Sequence, residues 1–185
     1  EMCIRDSFLK HQLNPENPEH IKRACRDISI EIRYAGDIQQ VWLNGINVTE
    51  EIRAEKIGNM ASVISAKKNV RDKLFNLQRD IASRQNVVMD GRDIGTNVLP
   101  NADLKIYLTA SSAERARRRY KELIDKGKSC DIRQIEADII KRDEQDMNRA
   151  IAPLRQAEDA YYLDSSSLTL EEVVAHILEQ WHKTL

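Results

Sequence analysis

The chain has 185 residues, 41% hydrophobic and 32% charged, with 29 Lys and Arg against 30 Asp and Glu and a formal net charge of −1. That balance is an ordinary soluble one rather than that of a disordered or membrane chain. The near-zero charge and 5% aromatic content argue against a nucleic-acid partner. No run approaches the roughly 18 apolar residues of a spanning helix, so no membrane partner is expected. Cys3, Cys25 and Cys130 stand far apart, with no CxxC, no His at metal-ligand spacing and no signal-peptide pattern. They point to a reducing cytoplasm and to no protein-held metal.

In chain order, residues 8–27 read as helical, interrupted by the turn-rich Asn14-Pro15-Glu16-Asn17-Pro18. From Ile28 the period changes: Ile28, Ile30 and Ile32 alternate with polar residues, as in a half-buried strand. Gly36-Asp37 predicts a turn, Val41-Trp42-Leu43 the return strand, and Asn44-Gly45 a hairpin turn before Ile46 and Val48. Such a small antiparallel meander has the character of an insertion. Helical patterns follow over about 51–60 and 67–83, the second with Val70, Leu74, Leu77 and Ile81 on one face.

Strands are predicted at 86–89, 103–108 and 160–164. Between and after them lie a basic helix at 112–126 opened by Ser111-x-x-Glu114, a helix from Asp131 to about Arg149, and a last helix opened by Thr169-x-x-Glu172 and running through Trp181. Strands alternating with helices imply an α/β fold, a parallel sheet wrapped by helices.

Three constellations carry chemistry. Asp90-Gly91-Arg92-Asp93, followed by Gly95-Thr96, is placed at a strand end, where open α/β sheets bind ligands. Arg142, Asp146 and Arg149 fall at i, i+4 and i+7, hence on one helical face. The apolar exit Ala150-Ile151-Ala152-Pro153-Leu154 is expected to press that helix end into the core, lining a cleft with the charges. Arg115, Arg117, Arg118 and Arg119, with Lys121 and then Lys126-Gly127-Lys128, supply planar cations suited to phosphate oxygens. Taken singly, each also fits an ordinary turn or a solvated charged face.

Together these segments resemble the bacterial cytidylate kinases of the nucleoside monophosphate kinase superfamily over roughly residues 28–182. The resemblance rests on Asp90-Gly91-Arg92-Asp93-x-Gly95-Thr96, Lys105-Ile106-Tyr107-Leu108-Thr109-Ala110-Ser111 and Glu114-Arg115-Ala116-x-Arg118-Arg119. It rests equally on Arg142-Asp143-x-x-Asp146-x-Asn148-Arg149-Ala150-x-Ala152-Pro153-Leu154 and Leu163-Asp164-Ser165. The meander fits a sheet-containing insertion in the family's monophosphate-binding region. The resemblance implies a P-loop kinase fold divided into a core helix at 8–27, an insertion at 28–62, core at 63–110, a mobile lid at 111–130 and core again at 131–185.

It further implies phosphoryl transfer from ATP, with Mg²⁺, to CMP or dCMP by a monomer. Ser62, Arg71 and Asp93 would face the cytosine. Arg92, Arg142 and Arg149 would hold the acceptor nucleotide and its phosphate, and Asp146 would accept from the ribose hydroxyls. Arg115, Arg118 and Arg119 would serve the lid, with Arg118, Arg119 and Arg142 assisting transfer. A non-catalytic module binding cytidine nucleotides is the competing reading.

Such a kinase is expected to open with Gly-x-x-x-x-Gly-Lys-Ser/Thr, whose amides and lysine cradle donor phosphates. The 185 residues hold no such string. Met2-Cys3-Ile4-Arg5-Asp6-Ser7 resembles one reading frame of a transposase-end sequencing adaptor. Residues 1–7 are therefore expected to be a scar on a reading frame that lacks about 40 residues upstream, and the polypeptide is expected to be inactive and poorly soluble.

Overall fold

A computed structural model describes residues 14, 17–26, 28–53 and 68–185. The chain divides into two compact units, Glu1–Val87 and Val88–Leu185.

In the first unit, helix α1 (Pro18–Arg26) starts where the sequence placed a turn. Proline is tolerated in a first helical turn because no N–H is needed there. Asn17 caps it, its Oδ1 accepting from the amides of Glu19 at 3.0 Å and His20 at 3.5 Å. The meander forms as read: β1 (Ile30–Ala35), β2 (Ile38–Leu43) and β3 (Ile46–Asn47) pair antiparallel in that order. Asn44 and Gly45 both take positive φ, 49° and 79°, matching the twist of a tight hairpin.

Where β3 stops, a side chain continues the ladder. The Val41 amide donates to Thr49 Oγ1 at 2.9 Å, and that hydroxyl donates to Asn47 Oδ1 at 2.6 Å. A short 3₁₀ turn at Glu51–Arg53 follows. It is the described part of the helix expected over 51–60. Helix α2 (Lys68–Arg84) sets Val70 into the core and packs Leu74 against it. That core joins Ile21 and Cys25 of α1 to Ile28, Leu43, Val48, Ile52 and Val70, with Val48 and Val70 fully buried. Burial also pushes the Cys25 thiol above its ordinary pKa.

The second unit holds a parallel pair, β4 (Ile106–Thr109) and β5 (Tyr161–Asp164), in register Ile106 to Tyr161 through Thr109 to Asp164. Helices α3 (Ser112–Asp125), α4 (Ile132–Asn148) and α5 (Leu170–His182) accompany it. The expected strand at 86–89 is not formed. Residues 86–90 have no ladder partner among the described residues, and Val88 is fully exposed. An apolar run alone does not make a strand without a partner for its backbone groups. The strand expected at 103–108 is displaced to 106–109, its register fixed by pairing with β5.

Only one of the two capping boxes is complete. Thr169 and Glu172 exchange both bonds. Ser111 accepts from the Glu114 amide, but the Glu114 carboxylate turns to Arg117 and Arg118 instead. No described helix is long and apolar enough to cross a membrane.

Candidate functional site

The Asp90–Asp93 segment runs into a turn of π-helix, Ile94–Val98. The Asp93 carbonyl accepts from the amides of both Asn97 (2.9 Å) and Val98 (3.2 Å), and Leu99 N–H bonds Ile94 O at 2.7 Å. Such turns concentrate at functional sites because they re-aim the side chains around them. Gly91 is required by close approach: a Cβ there would stand 2.8 Å from Ile94 Cγ1. Gly95 lies against the stem of Lys105, whose ammonium is nearly buried and is held by Asp159 at 2.6 and 2.8 Å. That ammonium holds the Asp159 carboxyl below its ordinary pKa.

Two ion pairs cross the site over long sequence distances. Arg92 Nε donates to Asp146 Oδ2 at 2.9 Å, and Arg149 Nη2 donates to Asp93 Oδ1 at 3.4 Å. Both members of the second pair are largely buried, with side-chain exposures of 14% and 11%. Asn97 Nδ2 reaches the other oxygen, Asp93 Oδ2, at 3.2 Å. The π turn and the end of α4 thus bring together Arg92, Asp93, Asp146 and Arg149, as the sequence grouped them. Arg142 is exposed one turn before Asp146 and has no hydrogen-bonding or ionic partner among the described residues.

The shared helical face does not hold for all three α4 residues. The helix ends at Asn148, and Arg149 takes an extended conformation, φ −62° and ψ 141°. Leaving the helix is what lets Arg149 turn back, its Nε donating to the Ala152 carbonyl at 2.6 Å. The exit is also less apolar in its packing than expected. Ile151 is exposed, while Ala152, Pro153 and Leu154 are half-buried. Ala152 adopts φ 48°, and the Leu154 amide closes the loop onto Asp146 O at 2.8 Å. The turn is held by hydrogen bonds more than by an apolar plug.

The arginines of α3 are tied to protein partners. Arg115 forms a two-pronged pair with Asp143 on α4, at 3.0 and 2.5 Å, and donates through Nε to Ala110 O at 3.0 Å. Arg118 donates to Ser165 O at 2.5 Å and to Glu114 at 2.8 Å, which brings it to the carboxyl end of β5. Arg117 and Arg118 hold the Glu114 carboxyl down to about 2. Arg119 pairs within its own helix with Glu122 at 2.7 Å. The strand ends are closed by serines: Ser165 N and Oγ both donate to Thr109 O, and the Ser111 amide donates to Ser166 Oγ.

Arg71 lies half-buried on α2, in the first unit, and Ser62 lies outside the described residues. Sequence reasoning passed over Asn97 and Asp159. The i+4 spacing of Asn97 from Asp93 was the available signal for the first; Asp159, 54 residues from Lys105, offered none.

The second unit joins a parallel strand pair to a cluster of paired arginines and carboxylates, and its relatives give the class, a nucleotide-binding transferase. The family profile described as cytidylate kinase matches residues 6–183. The chain is 45% identical over 177 residues to a protein of Caldicellulosiruptor bescii named cytidylate kinase, covering 96% of this chain and 78% of that one. It is 43% identical over 170 residues to the cytidylate kinase of Bacillus cytotoxicus, covering 92% and 76%. With the cytidylate kinase of Cupriavidus pinatubonensis it shares 51% identity over 150 residues, 81% of this chain and 67% of the relative. The chain belongs to the cytidylate kinase family.

Proposed function

We propose that the second unit carries the acceptor half of a kinase site that takes the terminal phosphoryl group of ATP to CMP or dCMP, giving ADP and CDP or dCDP. The observation that carries this reading is the buried Asp93 carboxylate, anchored on one oxygen by Arg149 and on the other by Asn97. A carboxylate accepts hydrogen bonds and does not donate them. It suits the exocyclic amine of cytosine and opposes the carbonyl that uracil carries in its place.

The charges around Asp93 suit the rest of the nucleotide. Arg92 with Asp146, and Arg149 with Asp93, neutralise one another pairwise, so neither carboxylate carries an uncompensated charge before ligand arrives. Asp146 would exchange Arg92 for the ribose hydroxyls, freeing Arg92 toward the acceptor phosphate, and Arg149 would offer that phosphate its Nη1 while its Nη2 keeps Asp93. Arg142 adds a positive charge that draws the anion in. Phosphoryl transfer then needs charge and alignment around the moving group, which Arg118, Arg119 and Arg142 would supply.

Among the described residues no three His, Cys, Asp or Glu side chains converge into a metal cage. Mg²⁺ would enter with ATP, carried on the donor phosphates, its usual setting in such reactions. The reading places the protein in the cytoplasm, acting as a monomer.

Calorimetric titration of the chain with CMP and UMP tests the reading at the acceptor site alone. The expected result is CMP binding at least about tenfold tighter than UMP. Equal affinities would sink it. Formation of CDP from CMP and ATP, measured in parallel, separates a kinase from a module that binds the nucleotide without acting on it.

A further inference from the structure

We propose that Asn97 sets the orientation of Asp93 and, through it, the preference for a cytosine over a uracil nucleotide. The inference rests on the reading of Asp93 as the base-facing carboxylate. Asn97 is a positioning residue, since it acts on the ligand only through its neighbour.

The geometry begins with what Asp93 does not do. It stands at the N-cap of the Ile94–Val98 turn, where an aspartate ordinarily turns its carboxylate onto the first free amides. Here the side chain makes no capping bond. The backbone carbonyl of Asp93 takes the Asn97 and Val98 amides, and the carboxylate is bonded by other groups, the Arg149 and Asn97 side chains among them.

Two of those partners take opposite oxygens. Arg149 Nη2 lies 3.4 Å from Oδ1, and Asn97 Nδ2 lies 3.2 Å from Oδ2. A carboxylate held at one oxygen still swings about its Cβ–Cγ bond, whereas one held at both has a fixed plane. Each oxygen has more than one acceptor position, so an anchor on each does not by itself block an amine.

The chemical nature of the second anchor matters. A further cation at position 97 would compete with the base for the same negative charge. The Asn97 amide is neutral, so it orients the carboxylate without neutralising it. The wider π-helical turn adds the constraint: the Asn97 backbone is bonded to Asp93 O, so its side chain starts within reach of its target. Fixing the plane raises the cost of admitting a uracil carbonyl, because the carboxylate cannot rotate away from it.

The test titrates CMP and UMP into the unaltered chain and into Asn97→Ala, Asn97→Asp, Asp93→Ala and the N97A/D93A double variant. Asn97 is exposed, and Asn97→Asp keeps its shape while exchanging the amide donor for a second carboxylate. The expected result is a ratio of UMP to CMP dissociation constants that falls about 3–10-fold in N97A. It falls at least as far in N97D. In the D93A background, N97A changes the ratio no further, as expected of two residues acting as one.

An unchanged ratio in both single variants, or an equal loss in the D93A background, overturns the inference. A ratio near one in the unaltered chain overturns the reading of Asp93 and this inference with it. A ratio that collapses in D93A but survives both Asn97 substitutions overturns the inference alone.

Discussion

In the first unit, sequence-distant elements meet through apolar side chains. Ile21 and Cys25 of α1, Leu43 of β2, Val48 and Val70 of α2 close a single core, and the described ion pairs, such as Arg33 with Glu31 and Lys68 with Asp72, are local. In the second unit many of the long-range ties are polar, beside the stacked Tyr107 and Tyr162 and the buried Val98, Ala110, Ala116, Leu123 and Leu163. Arg92–Asp146, Asp93–Arg149, Lys105–Asp159 and Arg115–Asp143 span 28 to 56 residues, and Asp93, Lys105 and Ser165 are buried. Apolar burial is non-directional and tolerates approximate partners, whereas paired charges demand geometry and are costly when half-made. A unit proposed to present charges to a charged ligand is better held by groups whose positions are specified one by one.

The largest expected effect comes from breaking the polar set at its most enclosed member. Arg149→Ala removes one anchor of Asp93 and a cation proposed to face the phosphate, and CMP affinity should fall about 10–100-fold by calorimetry. Its counterpart in the apolar unit is Val70→Ala, which opens a void at a fully buried position. The expected cost is about 2 kcal/mol in urea unfolding. A loss near zero would mean the first unit is less dependent on its core than its burial indicates.

The Lys105–Asp159 pair sharpens the contrast, since its partners are unequally placed, 7% and 65% exposed. Asp159→Ala strands an enclosed ammonium and should lower the midpoint of denaturant unfolding. Lys105→Met leaves a carboxylate that water can reach and should cost less. The reverse order would show that the salt bridge is not what holds the stem of Lys105 over Gly95.

The smallest effect concerns acid. Glu114 has its pKa depressed to about 2 by Arg117 and Arg118. Its contribution is present above the ordinary value of 4.5 and is lost as pH falls through about 2. The melting temperature of Glu114→Gln should therefore differ from that of the unaltered chain above pH 4.5, and the two should converge toward pH 2.

The sequence by itself determined much of the local structure. The Asn44-Gly45 turn, the Val70–Leu74 face and the Thr169–Glu172 cap are short-range signals that stand in the structure, whereas the alternation from Ile28 yields a strand only from Ile30 and leaves Ile32 exposed. The motif order was specific enough to place the chain in its family. Tertiary structure decided the rest. The apolar run at 86–89 forms no strand, because a strand is defined by a partner that its own residues do not name. Arg149 leaves the helical face that its spacing implied, because the turn at Ala152 and the pull of Asp93 outweigh helical continuation. Asn97 gained meaning only when the π turn brought its amide to Asp93. Periodicity reports which face a residue occupies; only the folded chain reports what stands opposite.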